Sequence, residues 1–462
     1  MNTICIKPPE EIRQNNDFTG GNMTKKEFKA AMLRGLGRCV KAVRREPEKY
    51  RDIVLWACTR DIAYDAQSEG TRSWYVYTMA NSYPDKETFI CAAAEALKKY
   101  RPNRGWDLLH LSELLMFFAW DGYESARQAV EEKYCALLAD MYARKRRPNR
   151  IFHELSDLEQ LGLVLTVDRT SFLRIAGDFG RLYREKRYMQ DGDFPWFFES
   201  EGGRYRKTME RAAKMDWNIA CFLQREQAYI EEREVNWEQR KTMPEERRSG
   251  IMLSLWLAKK ADRETVEQYA LAYREQDQPE LRAKALEAFS RCSYPHDPQI
   301  IIKDTQSDCE ELQKAAWQAL ENVRHSAVRK FALSNMAKGI HTLENFALLA
   351  INYLPEDGEL LEMLLRELIA KRDWHGVHSA GMYIYQAYRK DSKVARPKHL
   401  LPLLYENTPC SFCRESALMY MSRHRMVTPE ILEECLCDSD EDIRSWARKR
   451  KRKGLHSTKN MI

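Results

Sequence analysis

From residue 277 onward the chain repeats one pattern of apolar, small and polar positions. The segments DQPELRAKALEAF, DCEELQKAAWQAL, TLENFALLAINYL, DWHGVHSAGMYIY, TPCSFCRESALMYM and SDEDIRSWARKRK align on Leu281, Leu312, Phe346, Val377, Cys413 and Ile443, at steps of 31, 34, 31, 36 and 30 residues. Four positions after each anchor stands a small residue: Ala285, Ala316, Ala350, Gly381, Ala417 or Ala447. Eight positions after it, five of the six segments place Phe289, Leu320, Leu354, Tyr385 or Met421. At about 3.6 residues per turn these offsets fall on one broad helical stripe, and the small residue in it lets a second helix approach closely. Asp277, Asp308, Thr342, Asp373 and Ser439 stand where an N-cap is needed, and Thr408 precedes Pro409 at the remaining start. Further helical segments lie between these. Each resulting hairpin is too thin to bury its own stripe, so stacking must supply the core. In the last segment the stripe turns polar, with Arg448 and Lys451 at apolar offsets, as a terminal cap requires.

The period, the capping acid and the apolar–Arg–x–x–Ala phrase in LRAKAL, CRESAL and IRSWA resemble HEAT repeats, over about residues 270–450. The resemblance implies an all-α, right-handed α-solenoid of stacked helical hairpins. It also implies that Arg282, Arg414 and Arg444, one position after their anchors, reach an acid in a neighbouring loop. Residues 24–248 predict a more irregular set of hairpins. Candidate helices include Glu48–Gln67, Trp106–Ala119, Ser125–Arg144 and one long helix over Lys207–Arg240, with a loop over 192–203. The expected organisation is therefore four parts: 1–23, either a disordered arm or leader preceding a native start at Met23; 24–248; the HEAT-like repeats over 249–447; and a basic tail, 448–462.

Composition changes this picture little. Gly (19) and Pro (16) are sparse, which favours helix. No apolar run approaches the roughly 18 residues of a membrane span. No charged-then-apolar signal pattern opens the chain, so a cytoplasmic protein without membrane contact is expected. Twelve cysteines lie scattered in helical patterns, as small core residues do. The net charge of +6 is concentrated: eight Lys/Arg and no acid follow position 443, which leaves 6 − 8 = −2 for the rest.

Four features could carry chemistry. Asp61, Asp65 and Glu69, at i, i+4 and i+8, would share one helix face and could bind a basic peptide or a cation, although a solvated face is the default for exposed charge on such a helix. DFPWFFE (193–199) gathers aromatics, with Trp196 and Phe197 as candidate partner contacts if exposed, or packing against their own groove if not. Arg448, Lys449, Arg450, Lys451, Arg452 and Lys453 form an unbroken cationic run. Six like charges should fray a helix end unless a polyanion neutralises them, so weak, sequence-independent nucleic-acid binding is expected there. Cys410, Cys413, Cys435 and Cys437 make a CxxC and a CxC, but Cys413 is a repeat anchor and Cys435 sits on an apolar face. Core packing, with no metal and no cofactor, is the expectation for all four.

No HExxH, GxSxG, P-loop or GxGxxG spacing is present. The single His153–Glu154 pair speaks against a resemblance to the metal-binding HEAT oxygenases. The sequence therefore points to a non-enzymatic helical-repeat scaffold that binds a protein partner on its concave face. The alternative is a nucleic-acid-binding protein similar to the HEAT-like DNA alkylation-repair glycosylases, supported by the basic tail and by Trp374 and His378 in RDWHGVHSAG.

Overall fold

The computed structural model describes residues 23–101, 106–143, 148–166, 168–186, 197–241, 250–390 and 397–459. Every regular element among them is helical. The chain divides into two compact units, one of them discontinuous: Met1–Arg240 with Thr428–Ile462, and Lys241–Val427.

The first unit opens with α1 (Lys25–Leu33), α2 (Arg38–Arg45), α3 (Pro47–Ala57), the single turn α4 (Ala66–Glu69) and α5 (Ser73–Ala80). It continues through α6 (Glu87–Lys99), α7 (Asp107–Trp120), α8 (Glu124–Ala143), α9 (Pro148–Leu165), α10 (Arg169–Lys186), α11 (Phe197–Ala212) and α12 (Trp217–Lys241). Local chemistry sets the first boundary. Thr24 and Glu27 form a reciprocal capping box, Glu27 N donating to Thr24 Oγ1 at 3.2 Å and Thr24 N to Glu27 Oε2 at 2.8 Å. The core centres on α7, which packs against α5, α6, α8 and α9. Leu108, His110, Leu111, Ser112, Leu114, Leu115, Met116 and Phe118 are all buried along it. A helix apolar on every side is a core helix, and no described helix is long and apolar enough to cross a membrane.

The second unit contains α13 (Gly250–Lys259), α14 (Arg263–Glu275), α15 (Pro279–Glu287), α16 (Gln299–Asp304), α17 (Glu310–Leu320), α18 (Ser326–Ala337), α19 (Leu343–Ile351), α20 (Gly358–Lys371), α21 (Trp374–Lys390), α22 (Leu400–Asn407) and α23 (Ser411–Arg423). The helices that carry the repeated stripe touch one another, α15 with α17, α19 with α21 and α21 with α23. The intervening helices pair with them: α16 with α17, α18 with α19, α20 with α21 and α22 with α23. Buried residues follow the repeat register in α17, α19 and α23: Leu312, Ala316 and Leu320; Phe346 and Ala350; Cys413, Ala417 and Met421.

Several local expectations are corrected. Leu281 is 40% exposed, because α15 turns Ala283 and Leu286 inward instead. Leu354 falls beyond the end of α19 and is also exposed. Thr342 and Asp373 cap as anticipated, accepting from Asn345 N and Gly376 N. Gln278, Cys309 and Cys410 occupy the N-cap positions of α15, α17 and α23, each without a side-chain cap bond. Of the post-anchor arginines, Arg282 pairs with Asp304 and stacks on Tyr273, 5.1 Å from the ring centroid. Arg414 is fully buried.

The first unit is completed by α24 (Pro429–Cys435) and α25 (Glu441–Lys459), which pack against each other and against the helices at the start of the chain. Arg38 grips Glu434 through two bonds, Nε to Oε1 at 2.9 Å and Nη2 to Oε2 at 2.7 Å. Ser439 N donates to Gly35 O at 2.9 Å. The Arg444 guanidinium lies 3.7 Å from the centroid of the Trp74 ring while donating to Asp438 O, Ser439 O and Glu441. Arg444 thus binds the loop of its own hairpin and an indole from the first helices, where an acid of a neighbouring loop was anticipated. The capping residue of α25 is Asp440, which accepts from Ile443 N at 3.0 Å, in place of Ser439.

Candidate functional site

The acidic trio does not form a face. The helix expected through residue 67 ends at Ala57, and Asp61 and Asp65 stand in the loop before α4. Glu69 turns inward, its side chain 2% exposed. Its Oε1 accepts from Tyr64 N at 2.8 Å and Asp65 N at 2.9 Å, and its carboxylate pairs with Arg72. Asp61 accepts from Ala63 N, lies 3.6 Å from Nδ1 of the buried His110, and is held in its protonated form more readily than usual by burial. Only Asp65 is exposed, bonded by the Ser68 hydroxyl. The carboxylates of Asp61 and Glu69 serve loop backbone that has no helical partner, which is why the helix can stop there.

Trp196 lies outside the described residues. Phe197 opens α11, so the loop expected over 192–203 gives way to helix from that residue on, and its side chain lies outside the described residues. The long helix expected over 207–240 breaks instead. Asp216 accepts from Asn218 N at 2.8 Å and Ile219 N at 3.3 Å and so starts α12 afresh. The break leaves Met215 89% and Trp217 67% exposed on one turn. A groove of about 580 Å³ between α11 and α12 is lined by Ala213, Ala220 and Leu223 together with Arg206, Gln227 and Glu231. The sequence signal for this turn was Asp216 itself, in AKMDWN, an N-cap residue inside an otherwise helical pattern.

The cationic run is helical, within α25. Two of its charges are already paired: Arg448 with Glu441 at 3.0 Å, and Lys451 with Glu433 at 2.6 Å. Arg450 stacks on Trp446, 5.5 Å from the ring centroid. Lys449, Arg450 and Arg452 are exposed, and the side chain of Lys453 lies outside the described residues.

The four cysteines separate, Cys410 and Cys413 in the second unit and Cys435 and Cys437 in the first. Every described cysteine is a free thiol. Cys410 and Cys413 are 5% and 2% exposed and stand at the start of α23, where CxxC spacing brings both to one side of the first turn. Facing them from α21 is His378, with Nδ1 3.4 Å from Cys413 Sγ. One ligand atom from each of the three lies within 4.8 Å of the others. Tyr385, two turns on from His378 along α21, is 1% exposed, and its buried hydroxyl has no hydrogen-bond partner among the described residues. Burial first, then the nearby Cys413 and Cys410, hold that hydroxyl well above the usual tyrosine range. His378 was visible in the sequence only as the residue after an anchor. Nothing in the spacing linked it to cysteines 32 and 35 positions later until α21 and α23 packed together.

No family model matches the chain, and no curated protein or solved structure does either.

Proposed function

We propose that the chain is a non-enzymatic scaffold of HEAT-like helical hairpins that binds a protein partner, and that the α11–α12 turn is a principal contact. The observation that carries this reading is the pair Met215 and Trp217, exposed on the turn between the two helices that line a groove of mixed apolar and charged residues. Tryptophan contributes large, stiff contact area at low entropic cost, and a central aromatic anchor with a polar rim is the usual make-up of an energetic hot spot. The packing of successive stripe-bearing helices in the second unit supports the repeat reading, since each hairpin borrows its core from the next. The concave-face placement inferred from the repeat gives way in this proposal to a hairpin tip.

The test is site-specific photocrosslinking in the native host from the exposed position 214, next to the Met215–Trp217 turn, with the exposed Lys338, which follows α18, as a control position. One discrete crosslinked protein from 214 and none from 338 supports the proposal. Identical adduct patterns from both positions, or none from 214, overturn it.

A second reading has one observation in its favour. Lys449, Arg450 and Arg452 are exposed on α25 and have no acid partner among the described residues, unlike Arg448 and Lys451, which suits a weak, sequence-independent nucleic-acid contact.

A further inference from the structure

We propose that His378, Cys410 and Cys413 bind one zinc ion, with the Tyr385 hydroxyl making the fourth contact directly or through one water. Two thiolates and an imidazole are a zinc donor set. Zn–S and Zn–N bonds of about 2.3 and 2.0 Å place tetrahedral donors about 3.3–3.8 Å apart. Cys413 Sγ and His378 Nδ1 already stand 3.4 Å apart, and all three donors fall within 4.8 Å, so closing on a metal needs only small side-chain adjustments. Zn²⁺ would bind as the two thiols release their protons to solvent, without any change of oxidation state.

Three features distinguish this cluster from ordinary cysteine packing. The thiols sit at the N-terminal turn of a thirteen-residue helix, whose free N–H groups favour thiolate over thiol. The third donor is supplied by a different helix, so a bound ion would tie α21 to α23. The Tyr385 hydroxyl is sealed from solvent with no hydrogen-bond partner among the described residues, and buried hydroxyls are rarely left so. A metal or its water would satisfy it. The CxC pair, Cys435 and Cys437, belongs to the other unit and is not part of the site.

The experiment uses the full chain, expressed with zinc and purified under reducing conditions without chelator. Metal content is read by mass spectrometry. The ion is then exchanged for Co²⁺, whose thiolate charge-transfer and tetrahedral d–d absorption report the ligands. One equivalent of zinc, a two-thiolate cobalt spectrum, and loss of both in Cys413→Ser and His378→Gln, with Cys435→Ser unaffected, are the expected results. Tyr385→Phe should weaken affinity about 10–100-fold, as loss of a supporting contact to a metal centre does. Should Cys413→Ser fail to fold, alkylation of the wild-type protein followed by peptide mapping decides the matter. Zinc must protect Cys410 and Cys413 together and leave the exposed Cys91 and Cys135 reactive. Substoichiometric zinc, a cobalt spectrum without thiolate bands, equal loss in Cys435→Ser, or a Cys410–Cys413 disulfide in the freshly purified protein would each overturn the proposal.

Discussion

At the scale of single residues, side chains mattered where they satisfied something the backbone could not. Arg282 and Arg444 are post-anchor arginines legible as structural from their place in the stripe. The structure gives each an acid and an aromatic ring. Ala316 is fully buried in α17, in the small slot of its repeat. Ala316→Leu should overpack that seam and cost about 1–3 kcal/mol in a urea titration, and an unchanged midpoint would contradict the assigned register. His110 offers a pH test. It is fully buried, its Nε2–H donating to Ala57 O at 3.1 Å, and burial pulls its pKa down to about 4. The unfolded imidazole titrates near 6.5, so below that pH the unfolded chain takes up a proton that the folded chain refuses. Stability should therefore fall as pH drops from about 6.5 toward 4, by up to about 1.4 kcal/mol per unit for this one group. Asp61 and Glu113, raised by burial, act in the opposite direction. The informative quantity is thus the difference between wild type and His110→Gln, measured at pH 7 and pH 5. The two curves should converge at the lower pH, and parallel curves would remove His110 from the account.

At the scale of elements, helix content and the stripe helices α17, α19 and α23 were legible because apolar period, small slot and cap coincide there. The failures were at boundaries. Asp61, Asp65 and Glu69 have perfect helical spacing, yet helix was lost because the oxygens of Asp61 and Glu69 bind loop N–H groups and Asp61 N donates to Asp107. Periodicity cannot see that competition. In the same way Asp216 turned one long helix into two. Trp217→Ala, on the exposed side of that break, should change stability by no more than about 0.5 kcal/mol while abolishing the partner crosslinked from position 214. A large fall in melting temperature would mean that the indole is core. The cationic helix had been expected to fray. Pairing of Arg448 and Lys451 with acids offsets part of its self-repulsion. Among the described side chains of the run three charges are left exposed, and these should contribute about 3 to the salt slope on duplex DNA, at about 0.9 per phosphate. Substituting Lys449, Arg450 and Arg452 by Gln should flatten it. Retention of the slope would move the nucleic-acid surface elsewhere.

At the scale of the whole molecule, the repeat pattern invited a chain read from one end to the other, with the last segment as a terminal cap. The segment after Thr428 belongs instead to the unit formed by the first helices. Pairing across nearly four hundred residues leaves no local signature, because Gly37, Arg38 and Trp74 look ordinary until Glu434 and Arg444 arrive. Gly37 marks the closeness of fit. A Cβ there would lie 2.0 Å from Glu434 O, 2.8 Å from Cys437 C and 2.9 Å from Asp438 N, all backbone. Its φ of −61° is open to any residue, so Gly37→Ala tests contact alone. It should cost about 1–3 kcal/mol and expose residues 428–447 to protease. Resistance equal to wild type would show that the two segments do not meet this tightly.

That discontinuity bears on how the protein is made. A ribosome releases α1 to α5 early, yet the surface around Gly35, Gly37 and Trp74 has nothing to close on until Glu434, Ser439 and Arg444 have been synthesised. Through the intervening stretch the nascent chain carries an unmet surface that chaperones can hold. A message interrupted between Val427 and Glu434 would yield chains in which the second unit is intact but the first never closes, and the unmet surface would leave them open to quality-control proteases.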